Sequence, residues 1–247
     1  MSDRGRVRVE KSAKRVRVML GGEIVADTTN PLLVWEVPYY PTYYFPAVDV
    51  RTDLLVDKGE TKKSPSRGEA IQYSVKVNGS EGGAYSYQDP KLAELADHYV
   101  FVWNTMDHWF EEDEEVFVHA RDPYTRIDIV PSSRRVRVEI DGETIADTTN
   151  ASFLFETNLP TRYYIPKTHV RMDLLTPTDS ATRCPYKGTA RYWSANVGGE
   201  TYPDIVWGYD TPLAESQKIM GLVSFYNEKV DIYVDEVLQE RPKTKFS

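Results

Sequence analysis

The chain of 247 residues has a formal net charge of −8, and 40% of its residues are hydrophobic. This composition predicts a globular protein with one or two cores, and the acidic balance argues against nucleic-acid binding, which needs a clustered positive face. A single cysteine, Cys184, excludes an internal disulfide and favours a cytoplasmic location. The amino-terminal stretch alternates charge with valine, so we expect no signal peptide, no membrane span and no membrane partner.

The sequence is a tandem duplication. KRVRVMLGGEIVADTTN, beginning at Lys14, recurs as RRVRVEIDGETIADTTN from Arg134, an offset of 134 − 14 = 120 residues. Because this period far exceeds the roughly 20 to 50 residues of solenoid repeats, each copy is expected to be a domain. We predict a first domain over residues 1–125 and a second over residues 126–247.

In chain order, each copy is predicted to consist mostly of strands. RVRVEK, residues 6–11, is an extra strand-like run for which we find no counterpart. Edge strands of this kind leave exchange between copies or chains open, and with it a homo-oligomer. The alternating run that follows turns at Gly21 and Gly22 in the first copy and at Asp141 and Gly142 in the second, which predicts a β-hairpin.

Later in each copy we expect a second hairpin and one short helix. The second hairpin turns at Asn78–Gly79 and at Gly198–Gly199. The helix is predicted to begin at Asp89–Pro90 and at Thr211–Pro212, since a capping oxygen followed by proline is typical of a helix start. The fold class is therefore mainly β, with two small domains and little helix.

An ordered set of motifs carries a family resemblance. VRVEIDGETIADTTN, RYYIP, VRMDLL, CPYKGTARYWS and DIVWGYDTP, all in the second copy, resemble the family called domain of unknown function 427. The resemblance implies two tandem β-rich domains of the Mss4-like, or β-tent, architecture, and the family is sometimes labelled nucleotidyltransferase-like. Relatives of this architecture bind structural zinc through paired Cys-x-x-Cys knuckles, which one cysteine cannot supply, so we expect no metal and no cofactor.

Comparison of the copies separates residues needed by both from residues that differ. Arg171 and Asp173 have counterparts in the first copy and are expected either to pair with each other or to bind substrate. Glu156 also has a counterpart in the first copy, and we expect it to be either a general base or a hydrogen-bonded structural carboxylate. Where the copies differ, the second has the thiol and more aromatic rings, so we expect its pocket to be the more complete and that of the first to be degenerate.

The candidate site therefore lies in the second copy. The catalytic candidates are Cys184, Glu156 and Lys187. The ligand-binding candidates are Tyr163, Tyr164, Arg171, Tyr186, Tyr192, Trp193, Trp207 and Tyr209. Structural alternatives stay open, because Cys184 also fits a small side chain packed at a turn and Lys187 a solvated loop lysine. Tyr192 and Trp193 point to opposite faces of a strand, so we expect one ring in the core and the other lining a cavity.

These residues predict binding of a small anionic or aromatic molecule in an aromatic-lined pocket. Group transfer through Cys184 and proton transfer by a tyrosine or by Glu156 both stay open as reactions. Two other functions are also open, a non-catalytic protein-interaction module and a nucleotide-handling enzyme. The residues favour neither, since no P-loop, dinucleotide-binding glycine pattern or nucleophile elbow occurs.

Overall fold

The computed structural model describes residues 7–244 of the chain. The chain divides into two compact units, Met1–Pro123 and Tyr124–Ser247. Each unit is a β domain with its own pair of sheets.

Within the described part of the first domain, the strands are β1 (Arg8–Lys11), β2 (Val16–Leu20), β3 (Glu23–Thr28), β4 (Leu32–Val37), β5 (Tyr40–Pro46), β6 (Leu55–Ser64), β7 (Gly68–Val77), β8 (Ser80–Tyr87), β9 (His98–Phe101), β10 (His108–Glu111) and β11 (Glu114–Glu115). Its short 3-10 helices are Ala47–Asp49, Thr52–Leu54, Ala93–Leu95 and Trp103–Thr105.

Within the described part of the second domain, the strands are β12 (Ile127–Ser132), β13 (Val136–Ile140), β14 (Glu143–Thr148), β15 (Ala151–Glu156), β16 (Arg162–Pro166), β17 (Leu175–Cys184), β18 (Gly188–Val197), β19 (Glu200–Gly208), β20 (Leu222–Phe225), β21 (Asp231–Val234) and β22 (Val237–Leu238). Its 3-10 helices are Lys167–His169, Met172–Leu174 and Ala214–Ile219.

Each domain contains a seven-stranded and a four-stranded sheet. The seven-stranded sheets have the orders β1-β4-β5-β9-β8-β7-β6 and β12-β15-β16-β20-β19-β18-β17, which is the same topology in both domains. The four-stranded sheets are β11-β10-β2-β3 and β14-β13-β21-β22. The mainly β fold class and its tandem form, predicted from the repeat, are confirmed.

The predicted hairpin turns are also confirmed. Gly21 and Gly22 adopt φ angles of 58° and 80°, and at the corresponding turn Asp141 and Gly142 adopt 49° and 79°. Left-handed φ at both central residues gives the turn the twist that suits two antiparallel strands. Asn78–Gly79 and Gly198–Gly199 form the second pair of turns in the same conformation.

Two apolar layers result from the alternation of side chains along the strands. One layer fills the space between the two sheets and includes Val136, Val138 and Ile140 of β13. The other covers the opposite surface of the seven-stranded sheet, which we call the outer face. In the second domain it includes Tyr164 and Trp207, and the helix Ala214–Ile219 contributes the fully buried Ile219.

Two element predictions need correction. No α-helix begins at Asp89 or Thr211. Those segments hold only the 3-10 helices Ala93–Leu95 and Ala214–Ile219, and in the first domain the chain enters β9 directly after Asp97, whose φ is 55°. Helical spacing in the sequence was misleading because Tyr99, read as part of the helix face, pairs with Phe45 in the sheet.

The extra amino-terminal strand does have a counterpart. β1 pairs with β4 in the first domain, and β12 pairs with β15 in the same position of the second. The two runs share little sequence, so the duplication was hidden there. Arg6, the first residue of the predicted run, lies outside the described residues.

Candidate functional site

A carboxylate and a cation pair on the outer face of each domain. In the second domain the Nζ of Lys187 lies 2.5 Å from Oε2 of Glu156. In the first, a guanidinium nitrogen of Arg67 lies 3.1 Å from Oε2 of Glu36. In both, the carboxylate comes from the second strand of the sheet, and the cation from the turn before β7 or β18.

In the first domain tyrosine hydroxyls complete the carboxylate's hydrogen bonds. Tyr44 and Tyr85 both donate to Oε1 of Glu36, at 2.5 Å and 3.1 Å, and the Nε of Arg67 donates to the hydroxyl of Tyr87 at 2.9 Å. Burial, with the negative charges nearby, raises the pKa of Tyr44 and of Tyr85 far above the ordinary value. Both hydroxyls therefore stay protonated and act as donors.

The second domain replaces one of these tyrosines and changes the network. Trp207 occupies the position of Tyr85, and its indole nitrogen donates to the hydroxyl of Tyr164 at 3.1 Å. The ring of Tyr226 packs against Trp207 with 4.5 Å between centroids. The hydroxyl of Tyr192 hydrogen-bonds to Thr182 at 2.7 Å. Ring packing thus replaces the hydroxyl that bonds Glu36 in the first domain.

The structure brings most of the sequence-predicted residues together on the outer face. Tyr164, Tyr192, Trp207 and Tyr209 belong to one buried cluster, beside which Lys187 and Glu156 pair. Cys184 ends β17, is half-buried, and pairs with Gly188, the residue that follows Lys187. Tyr186 is half-buried in the following turn, where its carbonyl oxygen accepts a hydrogen bond from Ser216.

Three of the predicted ligand-binding residues lie elsewhere. Tyr163 and Trp193 point into the layer between the two sheets, because each neighbours an outer-face residue in a strand. Arg171 is exposed and forms an ion pair with Asp173 at 2.7 Å, with Glu143 at 3.8 Å. Of the two roles left open for Arg171, the structure shows the ion pair.

The expectation for Tyr192 and Trp193 needs correction. The two rings do face opposite sides of β18, but only 7% of Tyr192 and 9% of Trp193 is exposed, so both are packed in a core. Lys187 is 9% exposed and is therefore not a solvated loop lysine. Strand alternation predicts the face on which a ring lies and not whether that face is filled.

An open cleft instead lies in the first domain, beside the cluster of Glu36. Its volume is about 340 Å³. The ring of Tyr85 is part of both features, since it lines the cleft while its hydroxyl bonds to Glu36. The cleft is lined by Lys58, Lys62, Gln72, Tyr73, Glu81, Gly82, Gly83, Ala84, Tyr85, Val102 and Thr105.

Two cations of this cleft are not paired. Among residues 7–244, neither Lys58 nor Lys62 forms a direct ion pair or hydrogen bond with another side chain. Their counterparts in the second domain are Thr178 and Thr182, aligned by the matching pairs of β6 with β7 and of β17 with β18. The hydroxyl of Thr178 donates to Asp204 at 2.7 Å, and Thr182 hydrogen-bonds to Tyr192. At these two positions the second domain thus has side chains that hydrogen-bond within the domain, whereas the first domain has two unpaired lysines.

The same comparison explains why this part of the second domain is filled. Strand pairing aligns Val102 with Tyr226 and Gln72 with Tyr192, so two larger rings occupy these positions. β19 also has two additional residues around Asp204, whose φ is 48°. In the first domain Gly83 stands there, and a Cβ on it would lie 3.2 Å from Val102. Side-chain volume and one insertion separate the open domain from the closed one.

Sequence reasoning missed Lys58, Lys62 and Val102. The signal was present as DKGETKK in the first copy against PTDSATR in the second. Lysines on an exposed edge strand are commonly solvated or protect the edge, which hid their position at a cleft. Val102 and Tyr226 were missed because the insertions shift their alignment away from the offset of the first repeat.

Comparison with known proteins identifies the family. The model of the family described as Domain of unknown function (DUF427), labelled NTP_transf_9, matches residues 8–112 and again residues 128–236. The chain therefore belongs to this family, with two tandem copies of its domain. No curated protein matches the chain.

The described residues contain neither a membrane-spanning helix nor a group of side chains that could hold a metal ion. Residues 7–244 contain no helix with the length and apolar character that crossing a membrane requires. Over the same range, no three or more His, Cys, Asp or Glu side chains are grouped so that they could hold a metal ion.

Proposed function

We propose that this tandem DUF427 protein binds a small anionic or aromatic ligand, and that the binding site is the first-domain cleft. The observation that carries the proposal is the pair of unpaired cations, Lys58 and Lys62, beside the ring of Tyr85 in a cleft of about 340 Å³. Concave sites of this size with rings and a few polar groups are the usual small-molecule sites. Sequence reasoning expected the second domain, and the geometry favours the first.

The electrostatics of the cleft support an anion. Two ammonium groups and the carboxylate of Glu81 line it, so the lining carries a net positive charge although the chain as a whole is acidic. A local positive potential in an acidic protein attracts an anion to one place instead of to the whole surface. In the second domain the corresponding threonines are neutral, and the positions beside them are occupied by rings.

Binding without catalysis is the form of the proposal that the contacts favour. In the second domain the carboxylate of Glu156 and the ammonium of Lys187 are bonded to each other, which opposes a free base or nucleophile there. Burial, chiefly, raises the pKa of Tyr164 and of Tyr209 well above its ordinary value, so neither hydroxyl is a ready base at neutral pH.

A closure variant tests the proposal on the full chain. Val102→Tyr places in the first domain the ring that Tyr226 supplies in the second, and Val102 is exposed enough that a larger side chain need not disturb the core. The probes are benzoate, inorganic phosphate, and ATP with Mg²⁺, followed by isothermal titration and by ligand-observed NMR. We expect saturable binding of at least one probe, weakened at least about tenfold by Val102→Tyr.

Val48→Tyr is the matched control, because Val48 is the most exposed of the large apolar residues of the first domain and does not line the cleft. It should leave binding unchanged. Equal affinity of the wild-type chain and Val102→Tyr for every probe, or no saturable binding of any probe, would overturn the proposal.

Two further assignments from the sequence belong to the same proposal. We propose the β-tent architecture, supported by the stacked seven- and four-stranded sheets of each domain. A cytoplasmic location is supported by the single cysteine, Cys184, which is a free thiol. Fractionation of cells that express the tagged chain checks the location.

A further inference from the structure

We infer that the ligand of the first-domain cleft is an aromatic monocarboxylate, an inference that rests on the proposed function. The cleft offers two free ammonium groups, the aromatic ring of Tyr85 and one carboxylate. The aromatic ring, the charge and the size of the cleft each exclude a different class of ligand.

Tyr85 offers its ring and not its hydroxyl, because the hydroxyl donates to Glu36. Tyr73 borders the cleft, but its ring packs on the opposite face of the sheet, against Tyr99 and the layer between the sheets. Thr105 is committed as well, since its hydroxyl accepts from the amide of Gly83 and donates to the carbonyl of Val102. With these groups satisfied, the ring of Tyr85 remains for contact, and a planar aromatic partner uses it better than an aliphatic one.

The charge of the lining favours one negative charge on the ligand. Lys58 and Lys62 supply two positive charges, and Glu81 supplies one negative charge. The hydrogen bond from Ser74, ahead of the attraction of Lys76 and Lys58, lowers the pKa of Glu81, so its carboxylate stays ionised at neutral pH. A monoanion neutralises the lining, whereas a phosphate dianion adds repulsion from Glu81.

Lysines also suit a carboxylate whose orientation is set by other contacts. An ammonium is a point charge on a flexible stem and does not impose the two-pronged geometry of an arginine. Orientation then falls to the ring of Tyr85, and the ammonium groups follow the carboxylate. Glu81, as an acceptor, adds a preference for a hydroxyl or amino group on the ring of the ligand.

The volume limits the ligand to one ring with small substituents. About 340 Å³ is at the lower end of the range, about 300 to 1,000 Å³, of small-molecule sites. Benzoate and 4-hydroxybenzoate are therefore the probes that represent the class.

The test compares probes that differ from benzoate in one property each, titrated into the full chain. Cyclohexanecarboxylate keeps the charge and removes the aromatic ring, benzamide keeps the ring and removes the charge, and phenyl phosphate keeps the ring and adds charge. We expect 4-hydroxybenzoate to bind at least as tightly as benzoate, and the three altered probes to bind at least about fivefold more weakly. Lys58→Gln with Lys62→Gln should weaken benzoate binding at least tenfold.

One variant is designed to reverse a preference. Glu81→Gln removes the negative charge of the lining, so phenyl phosphate should gain affinity relative to benzoate. Lys63→Gln is the matched control for the lysine variants, since Lys63 neighbours Lys62 in the same strand but does not line the cleft. It should leave the affinity for benzoate within about twofold of wild type.

The outcomes separate this inference from the proposed function. If phenyl phosphate binds more tightly than benzoate and Val102→Tyr abolishes that binding, the cleft binds a ligand but the monocarboxylate class is wrong. Equal binding of cyclohexanecarboxylate and benzoate overturns the aromatic part. If neither these probes nor phosphate and ATP bind, the inference and the proposed function both fail.

Discussion

The outer faces of the two domains have one topology and one carboxylate–cation pair, yet one face is open and the other closed. In the first domain, Val102 and Gln72 border a cleft with unpaired lysines. In the second, Tyr226 and Tyr192 stand at these positions. The difference shows that a change in side-chain volume at two positions, with one insertion, separates an open cleft from a second core in two domains of the same topology.

The carboxylate–cation pairs of the two domains also differ in burial, and the pair of the closed face is the more buried. Glu156 and Lys187 have side chains that are 8% and 11% exposed, against 18% and 14% for Glu36 and Arg67. A buried charge depends on its partner because water cannot replace it. We therefore expect the closed face to be the more sensitive of the two to loss of a charge, and the open face to be the one that responds to ligands.

The largest expected effect is on the pair of the second domain. Lys187→Met keeps the apolar stem but leaves Glu156 buried without its cation, which should lower the free energy of unfolding of that domain by about 3–5 kcal/mol. Arg67→Met should cost less, about 1–3 kcal/mol, because the hydroxyls of Tyr44 and Tyr85 still bond to Glu36. Urea denaturation measures both, and peptide-resolved hydrogen exchange assigns each loss to a domain.

The control for this comparison removes both charges. Lys187→Met with Glu156→Leu should recover much of the stability lost in the single variant, since no unpaired charge is then left in the cluster. A double variant as unstable as Lys187→Met alone would mean that lost packing and not the unpaired carboxylate causes the effect.

A smaller effect is expected from single hydroxyls. Tyr44 donates to a carboxylate at 2.5 Å, whereas Tyr164 accepts from the neutral indole of Trp207 at 3.1 Å. Hydrogen bonds to charged groups contribute about 1.5–3 kcal/mol and neutral ones about 0.5–1.5 kcal/mol. Tyr44→Phe should therefore shift the urea midpoint of the first domain further than Tyr164→Phe shifts that of the second. The reverse order would show that Tyr44 does not bond an ionised Glu36.

These contrasts also show what the sequence could and could not predict about the fold. The repeat, the alternating valines and the turns at Gly21–Gly22 and Asp141–Gly142 led to a tandem β fold, because turn conformation and strand period are local properties. The helix at Asp89 was wrong because long-range pairing of Tyr99 with Phe45 overrides a local pattern of similar appearance.

The site was harder to predict than the fold, because residues distant in sequence decide whether a cavity is open or filled. Aromatic residues gained by the second copy indicated a ring-lined pocket, but Tyr192, Trp193 and Trp207 are all buried. Whether a ring lines a space or fills it depends on residues from other strands, here Tyr226 in one domain and Val102 in the other. The carboxylate–cation pairs could have been predicted from the sequence, since the two copies have a carboxylate and a cation at the same two positions of the repeat. These residues are Glu36 and Arg67 in the first copy and Glu156 and Lys187 in the second.

Acid should affect the stability of the two domains differently because of Glu228, a hydrogen-bonded carboxylate of the second domain. Glu228 accepts hydrogen bonds at 2.7 Å from both terminal nitrogens of Arg162 and from Thr244, while the first domain has Thr42 at the position of Arg162. Burial by itself would raise the pKa of Glu228, but the bonds from Arg162 and Thr244 more than offset it, and the pKa is lowered.

A lowered pKa in the folded state means that the stability from Glu228 is complete above the ordinary carboxyl range, near about pH 4.3, and is lost as the pH falls through the folded-state pKa. Between about pH 6 and pH 3, the free energy of unfolding of the second domain should fall more steeply with decreasing pH in the wild-type chain than in Glu228→Gln. Urea denaturation of the full chain at several pH values measures both slopes. An identical slope for wild type and variant would mean that Glu228 has the same pKa folded and unfolded.

The smallest effect is expected where the two domains are most alike. Arg171 and Arg51 each pair with an aspartate two residues later, at 2.7 Å and 2.8 Å, and both arginines are exposed. Exposed pairs contribute little because water screens the charges. Arg171→Ala and Arg51→Ala should therefore leave the urea midpoints and the affinity for benzoate unchanged. A loss of affinity in Arg171→Ala alone would place a ligand near the second domain's Arg171, as its charge first suggested, and would reverse the assignment of the open and closed domains.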